Sequence, residues 1–156
     1  MGLSQSCEIK LKNKFQRGNR NLITDIPGVR VGQVTLQNAE KAVHTGVTVI
    51  LPHGGNLFKE KVPAGVSIIN GFGKSAGLIQ VQELETIETP IVMTNTFGVG
   101  TALNALTKYM LEENEDIGVH TGTVNCLVTE CNDGMLNDIR GMHLKEDHVR
   151  EAIQNA

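Results

Sequence analysis

The sequence is poor in aromatic residues, with no tryptophan, one tyrosine and four phenylalanines among 156 residues. Single-stranded nucleic acids bind to rows of aromatic side chains on which their bases stack, so this composition argues against such a surface. No apolar run approaches the roughly 18 residues of a membrane-spanning helix. Residues 1–20 also lack the apolar core of a secretory signal. We therefore expect no nucleic-acid partner, no membrane association and a cytoplasmic protein.

Cysteine is also scarce, and its three positions are Cys7, Cys126 and Cys131. An odd number without a secretory signal favours reduced thiols over a disulfide framework. Four residues separate Cys126 from Cys131, which is wider than the tight cysteine spacing of a zinc knuckle. Apolar residues flank Cys126, and we predict that it is a small core residue.

The five histidines do not form a metal-binding pattern. None belongs to an H-x3-H pair, and the five-residue step from His143 to His148 does not place both on one helix face. Structural or surface roles are expected, and we predict neither a metal nor a cofactor. The histidines are His44, His53, His120, His143 and His148.

Length and composition indicate one globular domain. A chain of 156 residues is too short for two domains of ordinary size. Its hydrophobic and charged fractions, 40% and 20%, are those of globular proteins. Residues 1–20 carry five Lys or Arg against one Glu, whereas the remainder carries nine bases against sixteen acids. We predict a basic polar arm over residues 1–20, for which a solvated tail is favoured over phosphate binding, and one domain over residues 21–156.

Short β-branched runs bounded by Gly, Pro or Asn alternate with helical patterns. They predict strands over Val43–Leu51, Val66–Asn70, Pro90–Thr94 and Val124–Glu130. A helix is predicted near Ala76–Leu84, and a stronger one has an apolar face from Val99 to Met110. A third helix begins near Glu146, because acidic residues suit a helix amino terminus, and runs to the chain end.

A glycine-rich segment, residues 70–77, lies between a predicted strand and a predicted helix. Its glycines Gly71, Gly73 and Gly77 fit neither the dinucleotide-binding nor the P-loop spacing. A tight turn is therefore favoured over nucleotide binding. Ser67 and Ser75 lack the G-x-S-x-G elbow that exposes a nucleophile, so we nominate no nucleophile in this chain.

The densest polar group, residues 130–141, directly follows a predicted strand. Its carboxylates suit an ammonium group, and its amide N–H groups suit an oxyanion. The same residues also suit a purely structural turn around Asn132-Asp133-Gly134, with Asp138 and Arg140 as a local ion pair. The residue chemistry leaves both interpretations open.

Several segments in order resemble one enzyme family, the DmpA/BapA-type aminopeptidases (β-peptidyl and D-aminopeptidases). The resemblance covers about residues 21–156. The matching segments are residues 21–32, beginning Asn-Leu-Ile-Thr-Asp-Ile-Pro-Gly, residues 45–49, 69–71, 77–78, 88–96, 99–100, 130–141 and 146–149.

This resemblance implies an α+β fold, an αββα sandwich of the N-terminal-nucleophile-like type, of which the chain supplies roughly the amino-terminal half. Family precursors cut themselves once, and the serine that begins the second subunit attacks the substrate. Its own α-amine can act as general base. That serine, a glycine-rich segment and an oxyanion-stabilising asparagine fall outside these 156 residues. The chain alone is expected to be inactive, as a truncated product or one piece of a multi-chain enzyme.

Carried over by position, Glu130 matches the family glutamate that holds the substrate's free amino group. Asn132 stands where some members have a tyrosine that lines the oxyanion site, while Asp133, Asn137 and Asp138 match a string expected to be structural. We expect a small peptide or amide substrate and, because large apolar patches seldom stay exposed, a second subunit or a homo-oligomer. The alternatives are a non-catalytic binding or assembly protein and a related self-cleaving acyl transferase.

Overall fold

The computed structural model describes residues 16–156, so most of the expected basic arm lies outside the described residues. The described chain has a mixed α+β fold. Its strands are β1 (Arg30–Asn38), β2 (Val43–Leu51), β3 (Val62–Pro63), β4 (Thr86–Ile87), β5 (Ile91–Thr94) and β6 (Leu127–Glu130). Its α-helices are α1 (Leu78–Leu84), α2 (Val99–Glu113) and α3 (Glu146–Gln154).

The larger sheet has the strand order β1-β2-β5-β6. Strands β1 and β2 form an antiparallel hairpin, in which Arg30 pairs with Leu51 and Asn38 with Val43. Strand β5 is antiparallel to β2, whereas β6 is parallel to β5. A parallel neighbour requires a crossover, and α2 supplies it. The carboxyl ends of β5 and β6 therefore meet at one edge of the sheet.

Helices α2 and α3 cover one face of this sheet and form the main core with it. The fit of α3 depends on Gly32 of β1, since a Cβ atom there would lie 1.9 Å from the carbonyl oxygen of Ala152. Only glycine permits this close approach. The largest fully buried apolar side chains of the core are Leu106, Val49, Val92, Val128 and Val149.

The opposite face of the sheet is covered over β5 and β6. There the segment that carries α1 and the β3–β4 pair contributes Val81 and Ile87, which pack against Leu127 in a second apolar cluster. Over β1 and β2 the structure leaves an open hollow of about 280 Å³, whose lining includes Gln33, Thr48 and Met93. The two halves of this sheet face thus differ in their cover.

The structure confirms most of the predicted elements. Strand β2 and the helix from Val99 are present as expected, and α3 begins at Glu146. Strand β6 is shorter than predicted, and α1 begins at Leu78. The strand predicted over Val66–Asn70 is wrong, because that segment pairs with no described neighbour and residues 67–70 are exposed. Strand β1 was not predicted. The predicted strands are short β-branched runs, whereas exposed polar residues alternate with apolar ones in β1, as in a half-exposed hairpin strand.

Candidate functional site

Glu130 is the last residue of β6, at the edge where β5 also ends. The parallel register places Glu130 beside Thr94 of β5. The chain leaves β5 through Asn95 and a 3-10 turn, Thr96–Gly98, before α2 begins. This topology brings the turn after β5 against the side chain of Glu130.

Two donors hold the carboxylate of Glu130. The hydroxyl of Thr96 donates to Oε2 across 2.5 Å, and the backbone N–H of Lys74 donates to Oε1 across 3.1 Å. An ionised carboxylate has about four acceptor positions. These two bonds therefore fix its orientation and leave room for further donors, such as those of an ammonium group.

The glycine-rich segment is attached to the outer edge of β6. Ala76 and Val128 exchange two backbone hydrogen bonds of 2.9 and 3.1 Å, and Lys74 bonds to Glu130 two residues further along. Gly77 turns the chain into α1 with φ of +82°, and a Cβ atom there would lie 2.4 Å from the carbonyl oxygen of Cys126. The tight turn predicted for this segment is confirmed, and the turn supplies one wall of the site.

The side chain of Lys74 does not pair with Glu130. Its ammonium donates to the carbonyl oxygen of Phe72 across 2.6 Å and lies 3.1 Å from the centre of the Phe72 ring. Among the described residues, Glu130 forms no ion pair with a basic side chain. The half-buried carboxylate is thus oriented by neutral donors, and no basic side chain of residues 16–156 compensates its charge.

A cavity of about 400 Å³ lies between the glycine-rich segment and the end of β6. Glu130, Thr96 and Asn132 contribute polar groups to it. The segment wrongly predicted as a strand contributes three of the apolar lining residues. The apolar lining residues are Val66, Ile68, Ile69, Phe72 and Leu78.

Asn132 is exposed and serves the turn that follows β6. Its Oδ1 accepts the N–H of Gly134 across 2.9 Å, which is a local side-chain turn. Its side-chain NH2 group makes no hydrogen bond within the described residues, and Asn132 is one of the residues that line the cavity. The predicted turn and a place at the cavity are therefore compatible for this residue.

The rest of the polar group ties the loop to the start of β2. Asn137 is buried, donates to Asp133 across 3.2 Å and accepts the backbone N–H of His44 across 3.1 Å. The ion pair suggested between Asp138 and Arg140 is wrong. The carboxylate of Asp138 instead lies 3.4 Å from Nε2 of His143. These contacts are structural in kind.

Glu88 is a second carboxylate of interest and lies away from the cavity. It is 3% exposed, pairs with the ammonium of Lys61 and accepts the N–H of Asn125 across 2.8 Å. Burial opposes ionisation of Glu88, but the hydrogen bonds from Lys61 and Asn125 outweigh it and lower its pKa. Glu88 thereby holds together the segments that precede β3, β5 and β6.

The two described cysteines differ sharply. Cys126 is 3% exposed and lies in the main core, as predicted, and burial raises the pKa of its thiol. Cys131 is exposed beside Glu130. Cys126 and Cys131 do not form a disulfide with each other.

Nucleophile and metal candidates receive no support from geometry in residues 16–156. Ser67 and Ser75 border the cavity, but neither forms a hydrogen bond with a histidine or carboxylate of the described chain. No described group of three or more His, Cys, Asp or Glu side chains is arranged to hold a metal ion. None of the helices in this part of the chain is long and apolar enough to cross a membrane.

Sequence reasoning missed the two donors to Glu130. Thr96 lies 34 residues earlier in the chain, and only the parallel pairing of β5 with β6 brings it to the carboxylate. The donor from Lys74 is a backbone N–H group, which no residue type reveals. The available signal was the order strand, helix, strand, which favours parallel pairing and a common carboxyl edge.

Comparisons with known proteins match the chain from residue 21 onward. The pattern of peptidase family S58 covers residues 21–156. The beta-peptidyl aminopeptidase BapA of Sphingosinicella microcystinivorans is 36% identical over 146 residues, which are 89% of this chain and 36% of that protein. The BapA of Sphingosinicella xenopeptidilytica is 32% identical with the same coverage.

Solved structures show the same relationship. A protein from Pyrococcus horikoshii matches with a TM-score of 0.87 and 57% identity over 92% of this chain and 42% of its own. A Burkholderia sp. beta-aminopeptidase matches at 0.81, with 38% identity over 90% and 39%. The L-aminopeptidase D-Ala-esterase/amidase of Ochrobactrum anthropi, a serine aminopeptidase with a variant Ntn hydrolase fold, matches at 0.75, with 32% identity over 90% and 41%.

The chain thus spans about two fifths of the length of these relatives. Its mixed α+β fold corresponds to the amino-terminal part of the Ntn-hydrolase-type fold, as the sequence resemblance implies.

Proposed function

The chain belongs to peptidase family S58, and from this we propose that it is the amino-terminal part of a serine aminopeptidase. The enzyme removes residues from the free amino end of small peptides or amides. Its relatives include beta-peptidyl aminopeptidases and an L-aminopeptidase, and a substrate with a free amino group is the feature that these names share.

The observation that carries the proposal is the carboxylate of Glu130. It is half-buried at the edge of an open cavity, oriented by Thr96 and the N–H of Lys74, and not paired with a described basic side chain. A carboxylate held this way attracts a cation at a fixed position. A substrate α-ammonium carries one positive charge and three donors, two of which can bond to the acceptor positions that remain on the carboxylate.

Asn132 is proposed as a donor near the scissile carbonyl. Asn132 lines the same cavity as Glu130 and follows it by two residues in the chain. A side-chain amide can stabilise a developing oxyanion when it points at that oxygen. Its oxygen accepts the N–H of Gly134, which leaves the amide nitrogen available as the proposed donor to the substrate.

The nucleophile is proposed to lie on a following polypeptide, as the serine that begins the second subunit. Such a serine needs no histidine, because its own α-amine serves as general base. This agrees with Ser67 and Ser75, which have no base beside them in the described chain. The chain by itself is then inactive.

Association with a second polypeptide or another copy follows from the exposed apolar surface. Ile69 is 98% exposed, Met135 96% and Phe72 77%. Exposed apolar side chains in this number favour burial in an interface. Size-exclusion chromatography with light scattering on natively purified protein should give a mass above that of one chain, and a monomer mass would contradict the proposal.

Amine recognition is tested by kinetics on the natively purified protein with every polypeptide that accompanies it. Alanine p-nitroanilide and its N-acetyl derivative form a matched substrate pair. Glu130→Gln keeps the shape and removes the charge, and we expect kcat/KM for the free amine to fall about 100-fold. Glu151→Gln, at an exposed position of α3, is the control variant and should leave the rate unchanged. An E130Q enzyme with wild-type kcat/KM would refute the role of Glu130.

A further inference from the structure

Thr96 is the residue whose side chain is most directly engaged with Glu130. It is 7% exposed, and its hydroxyl donates to Oε2 of the carboxylate across 2.5 Å. The hydroxyl must be the donor in this bond, because an ionised carboxylate has acceptors only. Removal of the hydroxyl would leave Oε2 without its protein partner.

The backbone around Thr96 is fixed by its neighbour. Asn95 accepts the N–H of Gly98 across 2.7 Å and donates to the hydroxyl of Thr45 on β2 across 2.9 Å. These bonds anchor the 3-10 turn to the adjacent strand. The hydroxyl of Thr96 is therefore presented to Glu130 from a rigid support, which is what precise orientation of a binding group requires.

The second donor approaches from the other side of the carboxylate. The N–H of Lys74 bonds to Oε1, and the segment that carries it is bound to β6 through Ala76 and Val128. One side-chain donor and one backbone donor thus hold the two oxygens separately. Of these two donors, only that of Thr96 belongs to a side chain, so a substitution at the residue itself removes it directly.

We infer that Thr96 is a positioning residue, which holds the Glu130 carboxylate in the orientation that binds the substrate's amino group. The inference rests on the proposed function of Glu130. A carboxylate that is ordered before the ligand arrives avoids the entropy loss of ordering a flexible side chain on binding. Thr96 acts through Glu130 and need not touch the substrate.

The test is a binding titration of the whole chain, purified without denaturation and labelled with 15N. Alaninamide is the probe, and N-acetylalaninamide is the matched ligand without a free amine. The amide resonance of Lys74 is the reporter, because that N–H donates to Glu130. In the wild type, alaninamide should shift this resonance to saturation, and the acetylated ligand should not.

Four variants separate the possibilities. Thr96→Val removes the hydroxyl at nearly constant shape. It should lower the affinity for alaninamide about three- to tenfold, because the Glu130 side chain must then be ordered when the ligand binds. Thr96→Ser keeps the hydroxyl and should bind within about twofold of wild type, and Thr96→Ala repeats the loss should the valine variant not fold. Thr107→Val, which removes a hydroxyl bonded to Leu103 in α2, is the control and should leave the affinity unchanged.

The outcomes distinguish this inference from the proposed function. If Thr96→Val and Thr96→Ala bind alaninamide as wild type does, while Glu130→Gln does not, the positioning role is wrong and amine binding at Glu130 stands. If the wild type does not bind, or Glu130→Gln binds equally well, the proposed function fails and this inference fails with it. Loss in Thr96→Val with recovery in Thr96→Ser supports the inference.

Discussion

The substitution Gly77→Ala should detach the glycine-rich segment from β6. Gly77 has φ of +82°, where a residue with a side chain is strained. Its new Cβ atom would also lie 2.4 Å from the carbonyl oxygen of Cys126 and 3.1 Å from Cα of Leu127. Both contacts are with backbone, which cannot rotate aside, so the segment itself must move.

The expected loss of unfolding free energy has two parts. The left-handed conformation costs alanine about 1 to 2 kcal/mol. Movement of the segment breaks the two hydrogen bonds between Ala76 and Val128, each worth about 0.5 to 1.5 kcal/mol. Together they give about 2 to 5 kcal/mol. The N–H of Lys74 should leave Glu130 in the same movement, so alaninamide affinity should fall as well.

Urea unfolding followed by far-ultraviolet circular dichroism measures this loss, and it suits a chain that has no tryptophan. Gly71→Ala is the matched control, since no described atom lies within 4 Å of its Cβ position and its φ is not positive. We expect the control to remain within about 0.5 kcal/mol of wild type. A G77A chain as stable as G71A would refute the close approach at Gly77.

Three further outcomes are expected. Glu88→Gln should destabilise the fold by about 2 kcal/mol at pH 7, since it removes the charged partner of Lys61 and the charged acceptor of Asn125. The pKa of Glu88 is lowered in the folded state. Its stabilising contribution is therefore present above the pKa that Glu88 has in the unfolded chain, and it is lost as pH falls through the folded value. The urea midpoints of E88Q and wild type should converge from pH 7 to pH 3, and a constant difference between them would oppose this. In a Cys7→Ser variant, a disulfide reagent that reacts with thiols should label the exposed Cys131 quickly and Cys126 only on unfolding. Burial of Cys126 limits access of the reagent and raises the pKa of its thiol. Equal labelling rates would contradict the buried placement of Cys126. Gly100→Ala, at an exposed position of α2 with no described atom near the new Cβ, should raise the unfolding free energy by about 0.5 to 1 kcal/mol, and a loss would count against the helix there.

Local sequence patterns predict the elements in which buried and exposed residues follow a regular period. Strand β2 alternates buried and partly exposed residues, and α2 has one continuous apolar face, so each shows its structure in its own residues. Strand β1 is half-exposed, with Gln33, Thr35 and Gln37 toward solvent, and its identity depends on pairing with β2. Val66–Asn70 has the composition of a strand but no described partner, which composition cannot reveal.

The candidate site divides in the same way. Glu130 and Asn132 were proposed from their place after an apolar strand and from the family resemblance, and the structure puts both at one cavity. Thr96 and the N–H of Lys74 are distant in sequence from Glu130, and the parallel β5–β6 pairing and the Ala76–Val128 bonds bring them there. Long-range pairing of this kind is a tertiary property, so local sequence patterns do not contain it.

The most direct test of the central claim is intact-mass spectrometry on natively purified protein, combined with amino-terminal sequencing of every chain present. The claim is that this chain provides the amine-binding part of a serine aminopeptidase whose nucleophile begins a second polypeptide. It predicts a second polypeptide with serine at its amino terminus, associated with this chain. Protein that contains this chain alone and yet hydrolyses alanine p-nitroanilide would contradict it.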